Sequence, residues 1–306
     1  MSEIQIRLGT RGSPLALAQA HMVAAALEAA HGWKKGAVAI HTVKTSGDRI
    51  QDRPLADVGG KALWTKELDV ALLAGDTDIS VHSMKDVESE RPDILVIAAM
   101  LPRADVRDRL IGAESIAALA AGATVGTSSP RRAAQLRGKR PDLNIVTLRG
   151  NVDTRLAKRE SGEVDATLLA AAGLDRLGRK DVGSTIGVDE MLPAPAQGAV
   201  GIECRGDDKR VVELLKAIDH RDTHAAVMAE RAYTRALGGT CHSPVAALAI
   251  VDGDRVDFRC ELLSEDGAER IDGRARFAVG DVDGPAALAR EMLADAPASI
   301  RLLFEA

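Results

Sequence analysis

The chain has 306 residues, 46% hydrophobic but only 2% aromatic, and a formal net charge of −5. That length predicts two or three domains with cores of Ala, Leu, Val and Ile, and the negative balance speaks against nucleic-acid binding. Three widely spaced cysteines (Cys204, Cys241, Cys260) argue against a disulfide framework, no CxxC pair or His-rich cluster suggests a metal, and no apolar run is long enough for a bilayer; the expectation is a soluble cytoplasmic protein with no membrane partner.

Over the first 190 residues strand-like and helix-like stretches alternate. Strands are expected at 4–9, 38–45, 79–83, 94–100, 124–127, 144–148 and 164–169. Helices are expected at 13–30, 63–74, 115–121, 130–137, 151–160 and 171–177. This rhythm predicts α/β domains with largely parallel sheets. Near its start, Leu8-Gly9-Thr10-Arg11-Gly12-Ser13-Pro14 leads into a helix, and Val125-Gly126-Thr127-Ser128-Ser129-Pro130 leads into another. Each is a strand end, then Gly-Thr, then an N-capping Ser and a Pro suited to the first helical position. Ordinary capping explains the pattern. So does an anion site, because free N–H groups and the helix dipole favour negative charge and Arg11, Arg131 and Arg132 sit beside the two turns.

Gly59-Gly60-Lys61-Ala62-Leu63-Trp64 reads as a flexible linker or as a cover whose Trp64 stacks on a flat ligand. The strand 79–83 runs into His82-Ser83-Met84-Lys85-Asp86-Val87, whose polar side chains fall at the strand's carboxyl end, where open α/β sheets bind ligands. Asp86 is the candidate acid/base carboxylate or stabiliser of a developing cation; an Asp–Lys surface pair is the plainer alternative. Residues 125–180 carry twelve basic and six acidic side chains. Arg131, Arg132, Arg149, Arg155 and Arg176 recur there at element ends, which suits a ligand with several carboxylates or a solvated helical surface. No GxxxxGK[ST] or GxGxxG sequence opens a helix, so no nucleotide site is indicated. Two prolines in Met191–Arg205 break regular structure before an apolar strand, which reads as a crossing back to the first domain. From about residue 244 the pattern becomes three strands, 245–251, 255–263 and 269–279, then one helix over 285–303: a small α+β domain with an antiparallel sheet. Cys241, in Gly238-Gly239-Thr240-Cys241-His242, lies at its entrance as a tether, a nucleophile or an inert thiol.

Taken together, seven stretches resemble the porphobilinogen deaminase (hydroxymethylbilane synthase) family. They are residues 10–17, 81–87, 125–129, 131–132, 148–152, 197–203 and 239–241, in order over about 230 residues. The resemblance implies two periplasmic-binding-protein-like α/β domains, residues 1–99 with 198–218 and residues 100–197, plus a C-terminal α+β domain, 219–306. It also implies a dipyrromethane cofactor held by a thioether to Cys241, and porphobilinogen and its growing oligopyrrole as ligands of a monomeric enzyme. Asp86 would stabilise the methylene-pyrrole cation left when ammonia departs. Arg11, Ser13, Ser83, Lys85, Thr127, Ser128, Ser129, Arg131, Arg132, Arg149, Asn151, Arg155, Arg176 and Gln197 match positions that hold cofactor or substrate. Lys61 and Trp64 fall in the family's mobile loop. The chain departs from the family pattern at Pro130, at Glu88 where proline is common, at Asp153 where a small residue is expected, and at His242-Ser243. A small-anion binding protein and a Cys241–His242 hydrolase are the other classes these residues allow.

Overall fold

The computed structural model describes residues 3–44, 65–238 and 243–304. Their strands are β1 (Ile6–Arg11), β2 (Val38–Val43), β3 (Ile79–Ser83), β4 (Leu95–Met100), β5 (Asp108–Ile111), β6 (Thr124–Gly126), β7 (Asn144–Val146), β8 (Ala166–Ala170), β9 (Ser184–Thr185), β10 (Val200–Arg205), β11 (Val245–Asp252), β12 (Arg255–Leu263) and β13 (Arg270–Ala278). The helices are α1 (Pro14–Ala30), α2 (Lys66–Leu73), α3 (Pro130–Lys139), α4 (Val152–Glu160), α5 (Ala171–Arg176), α6 (Lys209–Lys216), α7 (Arg221–Ala236), α8 (Asp283–Ala294) and α9 (Ala298–Arg301). The chain forms two compact units, Met1–Ala104 with Ala199–His224 and Asp105–Gly198 with Ala225–Ala306.

The first unit holds one five-stranded sheet, β2-β1-β3-β10-β4. β1 pairs in parallel with β2 and β3, while β10 runs antiparallel between β3 and β4. Helix α1 starts where Ser13 Oγ accepts the Ala16 N–H, with Pro14 in its first turn. Its buried positions, Ala16, Gln19, Ala20, Val23, Ala24 and Leu27, recur at helical spacing. Val23 and Leu27 pack with Ile6, Leu8, Ile79, Val81, Val200 and Ile202 in the core.

The second unit holds two sheets. Its five-stranded sheet, β7-β6-β8-β5-β9, has the same plan: parallel β7-β6-β8, with β5 antiparallel beside β8. β6 and α3 repeat the opening of the first unit, with Ser129 capping the Arg132 N–H and Pro130 at the helix start. The three-stranded antiparallel sheet β11-β12-β13 follows, with Ala226, Ala229, Tyr233 and Leu237 against it. Phe258 lies between Tyr233 and Phe277, at ring separations of 5.4 and 5.8 Å, so this core contains a cluster of three aromatic rings.

Three expectations change. The helix expected at 115–121 is a series of turns, with Ser115 Oγ and carbonyl both taking the Ala118 N–H; Ser115 bonds locally instead of starting a helix. The final helix is split at Pro297, which cannot continue α8 but caps the start of α9. The two five-stranded sheets are mixed rather than largely parallel: β10 returns late in the chain to enter the first antiparallel to β3 and β4, and β5, the first strand of the second unit, runs antiparallel to β8.

A buried helix carboxylate ties two of these segments together. Glu230 accepts the N–H of Ala196 at 2.5 Å and of Ala249 at 2.7 Å. Ala196 is the one non-glycine described residue in the left-handed region, at φ 61°, which costs about 1–2 kcal/mol. Glu230→Ala should destabilise the protein by about 2–5 kcal/mol, since it strands two buried donors at about 1–3 kcal/mol each. A urea titration showing a loss below about 1 kcal/mol would contradict that bracing role.

Candidate functional site

In the first unit, β3 delivers the chain to a single tight turn, Met84–Asp86. Two contacts hold it. The Met84 N–H donates to the Ala199 carbonyl at 3.1 Å, and the buried Met84 side chain packs on Gly201, where a Cβ would lie 2.0 Å from the sulfur. With Met84 facing inward, Lys85 is exposed and Asp86 half-buried. Asp86 lines a pocket with Arg11, Ser13, Gln19 and Ser83. Ser83 Oγ is 2.8 Å from Gln19 Nε2 and 3.2 Å from its Oε1. Gln19 is a site residue that the sequence reading passed over; a polar side chain on the buried face of an alanine-rich helix was the available signal. Among the described residues nothing hydrogen-bonds the Asp86 carboxylate.

His82 also lines this pocket, and its Nε2 lies 3.3 Å from Glu203 Oε2 without hydrogen-bond alignment. Glu203, on β10, is gripped by Arg91 through Nε and Nη2, both at 2.8 Å. Burial pushes the Glu203 carboxyl up, but His82 and Arg91 overcome it and hold the group at about 2.

In the second unit a single buried carboxylate organises the predicted arginines. Asp108, on β5, accepts from Arg131 Nη1 and Arg132 Nη2, each at 2.7 Å, and from Gln197 Nε2 at 2.8 Å. Arg131 and Arg132, expected as open ligand arms, are only 3% and 5% exposed. Burial alone would raise the Asp108 carboxyl; the two guanidiniums hold it far below the carboxylate range. Burial pushes Arg131 the other way, downward, against the pull of Asp108. Arg132 Nη1 also donates to the Leu168 carbonyl, and Gln197 Nε2 to that of Val106.

Arg149, Arg155 and Arg176 differ. Among the described residues neither Arg149 nor Arg176 has an ion-paired carboxylate. Arg176 Nη2 donates to the Gly198 carbonyl at 2.7 Å, and burial pushes its guanidinium down. Arg155 Nε donates to the Gly150 carbonyl at 2.9 Å. Gly150 has φ 114°, a conformation that requires glycine, and lets Asn151 cap α4: its Oδ1 accepts from Thr154 N and Oγ1, both at 2.9 Å. Asn151 thus shapes the turn that carries Arg149 and Arg155. Asp153 pairs with Arg179, so its charge is spent away from those arginines. Thr127 Oγ1 accepts the Ser129 N–H, and Ser128 Oγ donates to the Leu148 carbonyl.

The buried Nε atoms of Arg131, Arg132, Arg149 and Arg176 have no hydrogen-bond partner, as does that of Arg109, which holds Asp175. Arg231 Nε is a sixth such atom; four of the six belong to arginines expected to meet an anionic group, so the residues present fit a polycarboxylate cofactor. Two cysteines are described, both buried: Cys204, its thiol pushed up to about 11, and Cys260, pushed up to about 12. Cys241, Lys61 and Trp64 lie outside the described residues. No described helix is long and apolar enough to cross a membrane.

Residues 6–213 match the family model for the porphobilinogen deaminase dipyromethane cofactor binding domain, and residues 224–295 that for the porphobilinogen deaminase C-terminal domain. The porphobilinogen deaminase of Sphingopyxis alaskensis is 58% identical over 98% of this chain and 96% of its own. That of Paracoccus denitrificans is 51% identical over 96% of this chain and 95% of its own. Among solved structures, an ABC-transporter periplasmic substrate-binding protein from Coxiella burnetii is a remote likeness, 17% identical with a TM-score of 0.42 over 70% of this chain and 92% of its own.

The paired carboxylates set the acid response. Glu203 falls from 4.5 in the unfolded chain to about 2 when folded, so the unfolded chain takes up the proton first. The stability it contributes is complete above 4.5 and is withdrawn as pH falls toward 2; Asp108 acts in the same direction. Glu203→Gln should therefore flatten the loss of unfolding free energy between about pH 5 and 3, measured by urea titration; an unchanged slope would contradict it. Asp108→Ala, which leaves two buried guanidiniums uncompensated, should cost about 3–5 kcal/mol.

Proposed function

The chain belongs to the porphobilinogen deaminase family, and from that premise we propose which of its residues carry the reaction. The enzyme deaminates four porphobilinogen molecules, condenses them head-to-tail on a dipyrromethane primer and hydrolyses off hydroxymethylbilane. The cofactor supplies the acceptor pyrrole and anchors the product chain. Cys241 is its attachment point; the burial and raised thiol pKa of Cys204 and Cys260 support this, since neither offers an accessible thiolate.

Asp86 stabilises the substrate cation that develops as ammonia leaves, and takes or returns a proton at its carboxylate oxygen. The observation that carries this is its unpartnered, half-buried carboxylate on a pinned turn beside Arg11, Ser13 and Ser83. A carboxylate about 4 Å from a cation, at an effective dielectric near 20, stabilises it by about 4 kcal/mol, or about a thousandfold in rate. Arg11, Lys85, Ser13 and Ser83 hold the side-chain carboxylates of porphobilinogen near this turn.

Each porphobilinogen brings two carboxylates, so the growing oligopyrrole becomes a polyanion. Arg149, Arg155 and Arg176 bind it, supported by the absence of ion-paired carboxylates on Arg149 and Arg176 and by their orphaned Nε atoms. Arg131 and Arg132 turn their Nε donors and positive field to the cofactor, while Asp108 fixes their forks and Gln197 braces the cluster through Asp108 and the Val106 carbonyl. Thr127, Ser128, Ser129 and Asn151 order the backbone around them. Lys61 and Trp64 cover the bound pyrroles. The protein works as a cytoplasmic monomer, with 219–306 a third domain beside 1–99 with 198–218 and 100–197.

Asp86→Asn should leave the fold intact and lower kcat by about 10²–10³; near-normal hydroxymethylbilane formation would overturn its role. Arg149→Ala or Arg155→Ala should stall elongation and shift the distribution of enzyme-bound intermediates on native ion-exchange chromatography. An unchanged distribution would contradict anion docking at those residues.

A further inference from the structure

We propose that Arg91 is a positioning residue for Asp86, acting through Glu88; the inference rests on the role given to Asp86 above. Asp86 sits in a turn of only three residues. Its entry is fixed by β10, through the Val200–Ser83 register and the Met84-to-Ala199 hydrogen bond. Its exit has no strand or helix: Val87 leaves in extended backbone at φ −100° and ψ 127°, and residues 87–94 form no regular element.

Glu88 secures that exit. Its Oε2 accepts from Arg91 Nη1 at 3.3 Å and from Thr65 Oγ1 at 3.0 Å. Arg91 Nη1 also reaches Thr65 Oγ1 at 3.2 Å. The guanidinium cannot drift, because Glu203 on β10 holds it on two nitrogens and Asp69 on α2 takes Nη2 at 2.5 Å. Its side chain is 8% exposed. One cation thus links the strand that fixes the start of the Asp86 turn to Glu88, two residues beyond Asp86 on its exit. Three carboxylates meet one guanidinium with His82 alongside, so losing the arginine would set the acidic groups against one another. Glu203 and Asp69 alone would satisfy a purely structural arginine; the Glu88 arm is the part that reaches the turn.

The test uses the holoenzyme. Glu88→Gln should lower kcat roughly tenfold, as small misplacements of a catalytic group do, with KM for porphobilinogen and the melting temperature nearly unchanged. Arg91→Met should lower kcat similarly and also lower the melting temperature. Adding Glu88→Pro to Arg91→Met should recover kcat while the melting temperature stays low, because proline favours the extended conformation already present at Val87. If Glu88→Gln and Arg91→Met keep full kcat well below their melting temperatures while Asp86→Asn is inactive, positioning is overturned and the role of Asp86 stands. Full activity in Asp86→Asn overturns both. A double variant whose kcat does not recover makes Arg91 a structural residue only and overturns the proposal.

Discussion

A buried carboxylate on the antiparallel strand of each five-stranded sheet is the constraint on which the rest of this molecule depends. In the first unit it is Glu203 on β10, and in the second Asp108 on β5. An ionised carboxylate removed from water is tolerated only when paired and hydrogen-bonded. Each therefore dictates where arginines must lie: Arg91 against Glu203, Arg131 and Arg132 against Asp108. In the first unit the pairing lies behind His82, at the strand end that carries Asp86. In the second it immobilises the first turn of α3, which follows Thr127 and Ser129.

This constraint divides the arginines by job. Those facing Asp108 have their terminal nitrogens committed inside the protein, so their electrostatic influence outweighs their reach. Among the described residues, Arg149 and Arg176 keep capacity in hand, and the turn around Gly150 and Asn151 holds the first of them without a carboxylate. In the proposed reading, a site that binds a lengthening polyanion uses both kinds: fixed charge that shapes the field and donors left for the ligand.

The repeated strand, Gly-Thr turn and Ser-Pro helix start was legible because every signal in it is local, and both Ser13 and Ser129 cap as their positions suggest. Asp86 at the end of β3 was legible for the same reason. β5 was not: Asp105-Val106-Arg107-Asp108-Arg109 carries too many charges to signal a buried strand locally, and only arginines more than twenty residues later make one of it. For that reason Arg131 and Arg132 read as ligand arms. The Glu88–Arg91–Glu203 cluster was invisible for a related reason, since its members lie on segments up to 115 residues apart that only the returning strand brings together. The stretch 115–121 was misread because its composition favours a helix while Ser115 closes a local turn.

The most direct measurement is intact-mass analysis of the purified protein with peptide mapping across Cys241, before and after incubation with porphobilinogen. Two linked, deaminated pyrrole units on the Cys241 peptide, followed by stepwise addition of further units, is the expected result. A Cys241 peptide that stays unmodified in both samples, with no pyrrole added elsewhere, would contradict a tethered primer at this cysteine.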